Sequence, residues 1–356
     1  MTLGKPVIYK PVLLDREAIA LKVYSRFLEK YPEIYGGYSP YLKEKTLEGF
    51  RYTLRYLQEA LAMDDAAIFI DSVGWSHVML SSQHMPGNGL PPFLETVKEV
   101  LHEELPVDLK AKSDDILAES LAFLTTAPTE VPSNIEKNNP LAPVAHAYLD
   151  ALLAADRPAA MRIIEEQVKR SVAIRDIYFN IFQPVLRELG RLWQIQKISV
   201  AQEHYATATT QLIIAQLYPA IFTESRKAKR RGKTLVAVCA SEELHEMGVR
   251  MVADFFEMVG WNTYYIGANT PANSLIAAVK ERKADVVALS STMSYHLPRV
   301  DTQIRSLRND PDTRHVKIII GGYTFNIVPE LWKKIGADAY AGSADEAVSL
   351  ANQLTA

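Results

Sequence analysis

The sequence predicts an all-helical N-terminal region followed by a doubly wound α/β domain built on a parallel sheet. Three observations carry this. Apolar residues recur at helical spacing as far as Phe222. From Lys233 the pattern changes to short apolar runs. From there strand-like runs and helical segments alternate strictly, which means a parallel sheet wrapped by helices. At 356 residues the chain is too long for one ordinary core, so two or three domains are expected.

Residues 1–127 read as a helical sensor or dimerisation domain. Asp15 to Tyr31 carries Ile19, Val23, Phe27 and Leu28 on one face, with Asp15 as N-cap, and Leu42 to Met63 repeats the spacing. Ala66–Ser82, Phe93–Leu105 and Asp114–Thr125 follow, the first two separated by a Pro/Gly-rich loop from His84. Residues 128–140, punctuated by Pro128, Pro132, Asn138 and Pro140, read as a linker. Residues 141–228 hold four helical segments, Ala142–Ala155, Arg157–Val172, Ala173–Trp193 and Ser199–Phe222. Pro158 suits a first turn, and Ser199-Val200-Ala201-Gln202 fits a capping box. Short connections make these an antiparallel four-helix bundle. Residues 233–356 form the α/β domain. Its strands are expected at Thr234–Ala240, Thr263–Ile266, Val286–Ser291, Ile318–Gly321 and Ala339–Ala341. Its helices are expected at Met247–Val259, Ala272–Arg282, Pro298–Leu307, Pro329–Lys334 and Ala344–Leu354.

Composition excludes several classes. A net charge of −3, with 48% hydrophobic and 23% charged residues, provides no basic field for nucleic acid or an acidic membrane. The basic run Arg226–Lys233 is short and reads as a solvated connection. The single cysteine, Cys239, lies in the apolar run Thr234–Ala240 and reads as core, so neither an internal disulfide nor a thiolate metal site is available. No N-terminal h-region and no long uninterrupted apolar run occur, so a cytoplasmic location is expected.

The chemistry concentrates after the first strand, in Ser241-Glu242-Glu243-Leu244-His245-Glu246-Met247-Gly248. Doubly wound folds bind ligands at the carboxyl ends of strands near the topological switch point. A histidine there is placed to ligate a metal, and a carboxylate two residues away, Glu243, can take the proton of its other nitrogen. Gly248 removes a Cβ where a bulky group approaches the backbone. Ser290-Ser291-Thr292 closes the third strand and Gly321-Gly322 the fourth. Hydroxyls there suit a buried base, and paired glycines suit a close-passing tail.

In order and spacing these residues resemble the cobalamin-binding domain of methionine synthase and related corrinoid proteins. That flavodoxin-like family carries Asp-x-His-x-x-Gly, then Ser-x-Leu, then Gly-Gly. The resemblance implies a base-off cobalamin whose cobalt takes His245 as lower ligand, with the nucleotide tail near Ser290, Ser291, Gly321 and Gly322. Glu243 stands where the family has Asp, and Thr292 where it often has Leu. The bundle resembles the helical cap of these proteins. Its Trp193, nine residues and then Glu203-His204 resemble the pattern of adenosylcobalamin light-sensing repressors. This implies an adenosyl group packed on Trp193, with ribose hydrogen bonds to Glu203. In those repressors a histidine directly follows the Trp and captures cobalt after photolysis. Gln194 stands here instead, so water or His204 must serve.

The whole arrangement resembles photocobilins, cobalamin photoreceptors that also hold biliverdin. That implies a noncovalent bilin in residues 1–127, with Arg51, Arg55, Trp75, His77 and His84 as its contacts. The repressors' basic winged helix has no counterpart there. The expected protein is therefore a light sensor and not an enzyme, a homo-oligomer whose assembly changes with light. The alternatives are a corrinoid methyl carrier serving a methyltransferase, and a relative that has lost cobalamin or binds haem through His245.

Overall fold

The computed structural model describes residues 9–35, 37–82 and 89–356, which form two compact units. The first comprises the chain up to Glu130 together with Thr292–Asp301 and Tyr323–Gly336. Its helices are α1 (Arg16–Lys30), α2 (Pro32–Tyr35), α3 (Pro40–Met63), α4 (Ala67–Ser82), α5 (Leu90–Glu104) and α6 (Val107–Leu124). Asp15 caps α1 by accepting from the Ala18 amide at 3.0 Å, as expected. The core is aromatic: Phe50 stacks on Phe93 and meets Phe27 edge-on. Helix α6 starts seven residues earlier than the sequence indicated, directly after Pro106.

The two inserted segments complete this unit. Tyr295 packs edge-on against Tyr56 and lies under the Arg55 guanidinium at 4.1 Å. Tyr323 donates to Asp71 on α4 at 2.8 Å, and the Lys334 ammonium donates to the Met63 carbonyl at the end of α3.

The second unit comprises Val131–Ser291, Thr302–Gly322 and Ala337–Ala356. The bundle helices are α7 (Ala142–Leu153), α8 (Arg157–Lys169), α9 (Ile174–Ile177), α10 (Gln183–Gln194), α11 (Val200–Gln216) and α12 (Tyr218–Lys227). Two long segments of the sequence reading are broken. A π-helical turn, Tyr178–Phe182, separates α9 from α10. Pro184 causes the defect, since it has no N–H for the Asn180 carbonyl four residues back. That carbonyl accepts from the Asn139 side chain at 2.7 Å instead. Pro219 likewise divides the last segment at Leu217. The stretch read as a linker is in fact a strap on the bundle. Ile135 is buried in the bundle core, the Asn134 amide donates to Glu188, and Arg191 donates to the Val131 carbonyl.

The sheet strands are β1 (Thr234–Cys239), β2 (Asn262–Gly267), β3 (Val286–Ser290), β4 (Lys317–Gly321) and β5 (Ala339–Tyr340), all parallel in the order β2-β1-β3-β4-β5. This is the flavodoxin-like order, with its switch point between β1 and β3. Helices α13 (Met247–Met258), α14 (Ala272–Arg282) and α18 (Ala344–Leu354) accompany it, α15 (Leu297–Asn309) begins in the first unit, and α16 (Tyr323–Ile327) and α17 (Leu331–Lys334) belong to that first unit. The sequence reading missed α16 and began α17 two residues early. Helix α13 is the wall shared by sheet and bundle. Its Val249, Ala253 and Phe256 enter the sheet core, while Met247, Met251 and Phe255 enter the bundle core. Among the described residues no helix is long and apolar enough to cross a membrane.

Candidate functional site

Register alignment brings Cys239, Ser290 and Gly321 into one row across β1, β3 and β4. The loops that follow β1 and β3 therefore open at the switch point. The β1 loop turns at Glu242, whose φ of +68° is sustained by its amide donating to the Asn269 side chain at 2.9 Å. The Ser241 hydroxyl donates to the Thr270 carbonyl, and Gln303 supports both.

This turn sends Glu243 inward, fully buried, and leaves His245 outward with 59% of its side chain exposed. One oxygen of Glu243, Oε1, accepts from the amides of Leu244 and His245, each at 3.0 Å, and lies 2.6 Å from His245 Nδ1. An ionised Glu243 fixes the tautomer with the proton on Nδ1, which leaves the Nε2 lone pair facing outward. The Glu243 hydrogen bond raises the imidazole pKa above its ordinary value, and the Glu203 charge on α11 adds to the effect. Gly248 has open space where a Cβ would stand. The Cys239 thiol is buried, its pKa pushed up by desolvation, with Sγ 3.6 Å from the His245 carbonyl.

Trp193, at the end of α10, is 41% exposed, while Gln194 beside it is buried. Glu203 accepts from the Thr207 hydroxyl at 2.7 Å, and its other oxygen lies 2.5 Å from His204 Nδ1. His204 itself is exposed. The capping box at Ser199 is present in full, which fixes where Glu203 enters the helix.

The glycine pair behaves differently from the simple expectation. Gly322 has φ +96°, and a Cβ there would stand 2.3 Å from the Ser291 carbonyl oxygen. At Gly321 a Cβ would meet the Ala341 carbonyl at 3.0 Å. Both glycines first serve close packing of neighbouring backbone. Ser291 is buried, with its amide donating to the Gly321 carbonyl.

Of the five residues expected to contact a bilin, the four that are described sit in different surroundings. Arg51 forks onto Glu17, and Arg55 lies over Tyr295. Trp75 is 39% exposed, while His77 is buried in the same helix. Two positions apart on a helix, they point to nearly opposite sides. His84 lies outside the described residues.

Sequence reasoning missed Glu246 and Gln211. Glu246 accepts from the Gln211 side chain at 3.0 Å, the Tyr265 hydroxyl at 2.8 Å and the Ala268 amide at 3.0 Å. No spacing rule joins these four residues, because they come from α11, from the start of α13 and from the end of β2.

Comparison with known proteins bears on the same two regions. A B12 binding domain family matches residues 233–351, and a second B12 binding domain family matches residues 144–218. Dimethylamine corrinoid protein 1 of Methanosarcina acetivorans is 33% identical over 115 residues, 32% of this chain and 53% of that protein. The chain thus spans about half the length of that relative. Dimethylamine corrinoid protein 2 of the same organism is 30% identical over 210 residues, 58% of this chain and 93% of that protein. The HTH-type transcriptional repressor CarA of Myxococcus xanthus is 28% identical over 173 residues, 48% of this chain and 55% of the repressor. The Methanosarcina barkeri monomethylamine corrinoid protein shares the fold, with TM-score 0.53 and 18% identity over 60% of this chain and 99% of that one. A strand-end histidine in a flavodoxin-like sheet, a helical bundle before it and these two domain matches have one common reading: the chain belongs to the cobalamin-binding corrinoid-protein family.

Proposed function

We propose that this protein is a light-responsive adenosylcobalamin sensor that holds the cofactor base-off, with His245 as the lower cobalt ligand. The observation that carries the ligand assignment is the His245 pair with buried Glu243, which leaves Nε2 free to donate at the switch point. A lone imidazole suits a metal whose remaining ligands come with the cofactor. Ser290, Ser291, Gly321 and Gly322 border the path of the nucleotide tail, and Gly248 keeps the backbone clear of the ring.

Trp193, Glu203 and His204 favour the adenosyl form over a methyl form. An exposed indole offers a flat apolar face, and the Glu203–His204 pair offers acceptors and donors to ribose hydroxyls. The cofactor supplies a cobalt–carbon bond that visible light breaks. Loss of the upper group would remove its contacts with Trp193 and Glu203, and repacking of the bundle would then alter the homo-oligomer. Gln194 is buried and His204 is exposed, so His204 is the better placed candidate to approach cobalt afterwards. In residues 1–127 we propose biliverdin as a second, noncovalent ligand, for which exposed Trp75 is the supporting feature.

The second reading is a corrinoid methyl carrier serving a methyltransferase. It is favoured by the likeness to dimethylamine corrinoid proteins. One experiment separates the two. The purified protein is loaded with adenosylcobalamin, with methylcobalamin and with biliverdin, then its spectrum and solution mass are recorded in darkness and after illumination. The sensor reading expects tight adenosylcobalamin uptake and a light-dependent change in both. An unchanged mass and preference for methylcobalamin would favour the carrier. His245→Ala should abolish the histidine-ligated cobalt spectrum, and retention of that spectrum would overturn the ligand assignment.

A further inference from the structure

Glu246 occupies the N-cap position of α13 yet makes no side-chain capping bond. A short N-cap carboxylate such as Asp accepts from the free amides of its own helix, whereas the longer Glu246 side chain reaches past them. Here both oxygens are committed elsewhere. Oε2 accepts from the Tyr265 hydroxyl and the Ala268 amide at the end of β2, and Oε1 accepts from the Gln211 side chain on α11. The fold makes room for this arrangement. Gly267 has φ +93°, and a Cβ there would stand 2.8 Å from Glu246 Oε2.

One face of α11 carries a polar stripe. Glu203, Thr207 and Gln211 follow at four-residue spacing, so they lie one above another. Thr207 donates to Glu203, the Glu203 charge is felt by His245, and Gln211 bonds to the residue that directly follows His245. The stripe is therefore bonded to the loop at its Gln211 end, roughly 12 Å along the helix from Glu203.

We infer that the Gln211–Glu246 hydrogen bond is a positioning latch, the fixed end about which α11 opens and closes over the His245 loop. This rests on the cofactor lying beside His245 under α11. Entry and release then occur at the Trp193–Glu203 end, while Glu246, anchored on β2, keeps the bundle in register with the loop. Glu246 and Gln211 are positioning residues and touch neither cobalt nor the upper ligand.

The test uses two charge variants of the full-length protein. Gln211→Glu sets two carboxylates against each other, whereas Gln211→Lys replaces the hydrogen bond with an ion pair. Hydrogen exchange of the α11 amides in the cofactor-free protein is the first measurement, and release of bound cobalamin into excess free cobalamin the second. The latch predicts exchange and release roughly tenfold faster in Gln211→Glu, with Gln211→Lys at or below the wild-type rates. A packing defect would move both variants in the same direction. Equal effects, or none in either, would overturn the latch. If the wild-type protein takes up no cobalamin, the sensor reading fails while the exchange measurement still decides the latch.

Discussion

Glu243 decides what kind of base His245 is. Its carboxylate holds the Nδ1 proton and raises the imidazole pKa. Protons compete with a metal for Nε2 below that raised pKa, so coordination should weaken on acidification. Glu243→Gln removes the largest cause of the shift. The proton competition should then move to lower pH, and metal affinity should fall roughly 10-fold to 100-fold because the ring loses its anionic partner. Titrating the cobalt spectrum of wild type and variant against pH checks both expectations. Glu59 raises a separate matter of stability. It is buried, accepts from the Tyr9 hydroxyl at 2.8 Å, and desolvation raises its pKa from 4.5 to about 7. Between those values the folded state holds a proton that the unfolded state has released. Stability should therefore fall as pH climbs from 4.5 to about 7 and stay level above, by an amount on the order of 3 kcal/mol. Glu59→Gln should flatten that slope in urea unfolding measured across the range.

Among the elements, the two glycines singled out in the sequence have opposite roles. Gly322→Ala forces a side chain into a left-handed backbone and onto the Ser291 carbonyl, so it should destabilise by on the order of 3 kcal/mol in chemical unfolding. Gly248→Ala meets nothing within 4 Å and should fold normally while weakening cobalamin binding. The alternation from Lys233 onward was legible because a parallel sheet imposes it on nearly every residue. The Glu243–His245–Gly248 spacing was legible because one loop carries all three. Residues on separate elements were not: Gln211, Tyr265 and Glu246 meet only once the chain is folded. Two helix breaks were also missed. Pro184 and Pro219 fall inside the long segments Ala173–Trp193 and Ser199–Phe222, and the outcome depended on where the freed carbonyl found a donor, as Asn180 did in Asn139. The strap at 131–135 looked like a linker because its polar groups find their partners, Glu188 and Arg191, only across the bundle.

At the scale of the whole molecule, residues 1–130 form a unit that borrows two segments from far along the chain. Tyr323 supplies the donor for Asp71, and Tyr295 lies under Arg55. A fragment ending at Glu130 lacks both tyrosines, and Asp71, whose pKa is raised by burial, loses its hydrogen bond. Such a fragment should keep helical circular dichroism but melt broadly, where the full chain melts cooperatively. The discontinuity also sets a timetable for biosynthesis. The ribosome delivers helices α1 to α6 first, yet their tyrosine partner Tyr323 emerges about 200 residues later, roughly 10–40 s at ordinary elongation rates. Through that interval the nascent unit holds an unfinished aromatic surface, so its yield in the cell should depend on chaperone supply more than its equilibrium stability implies.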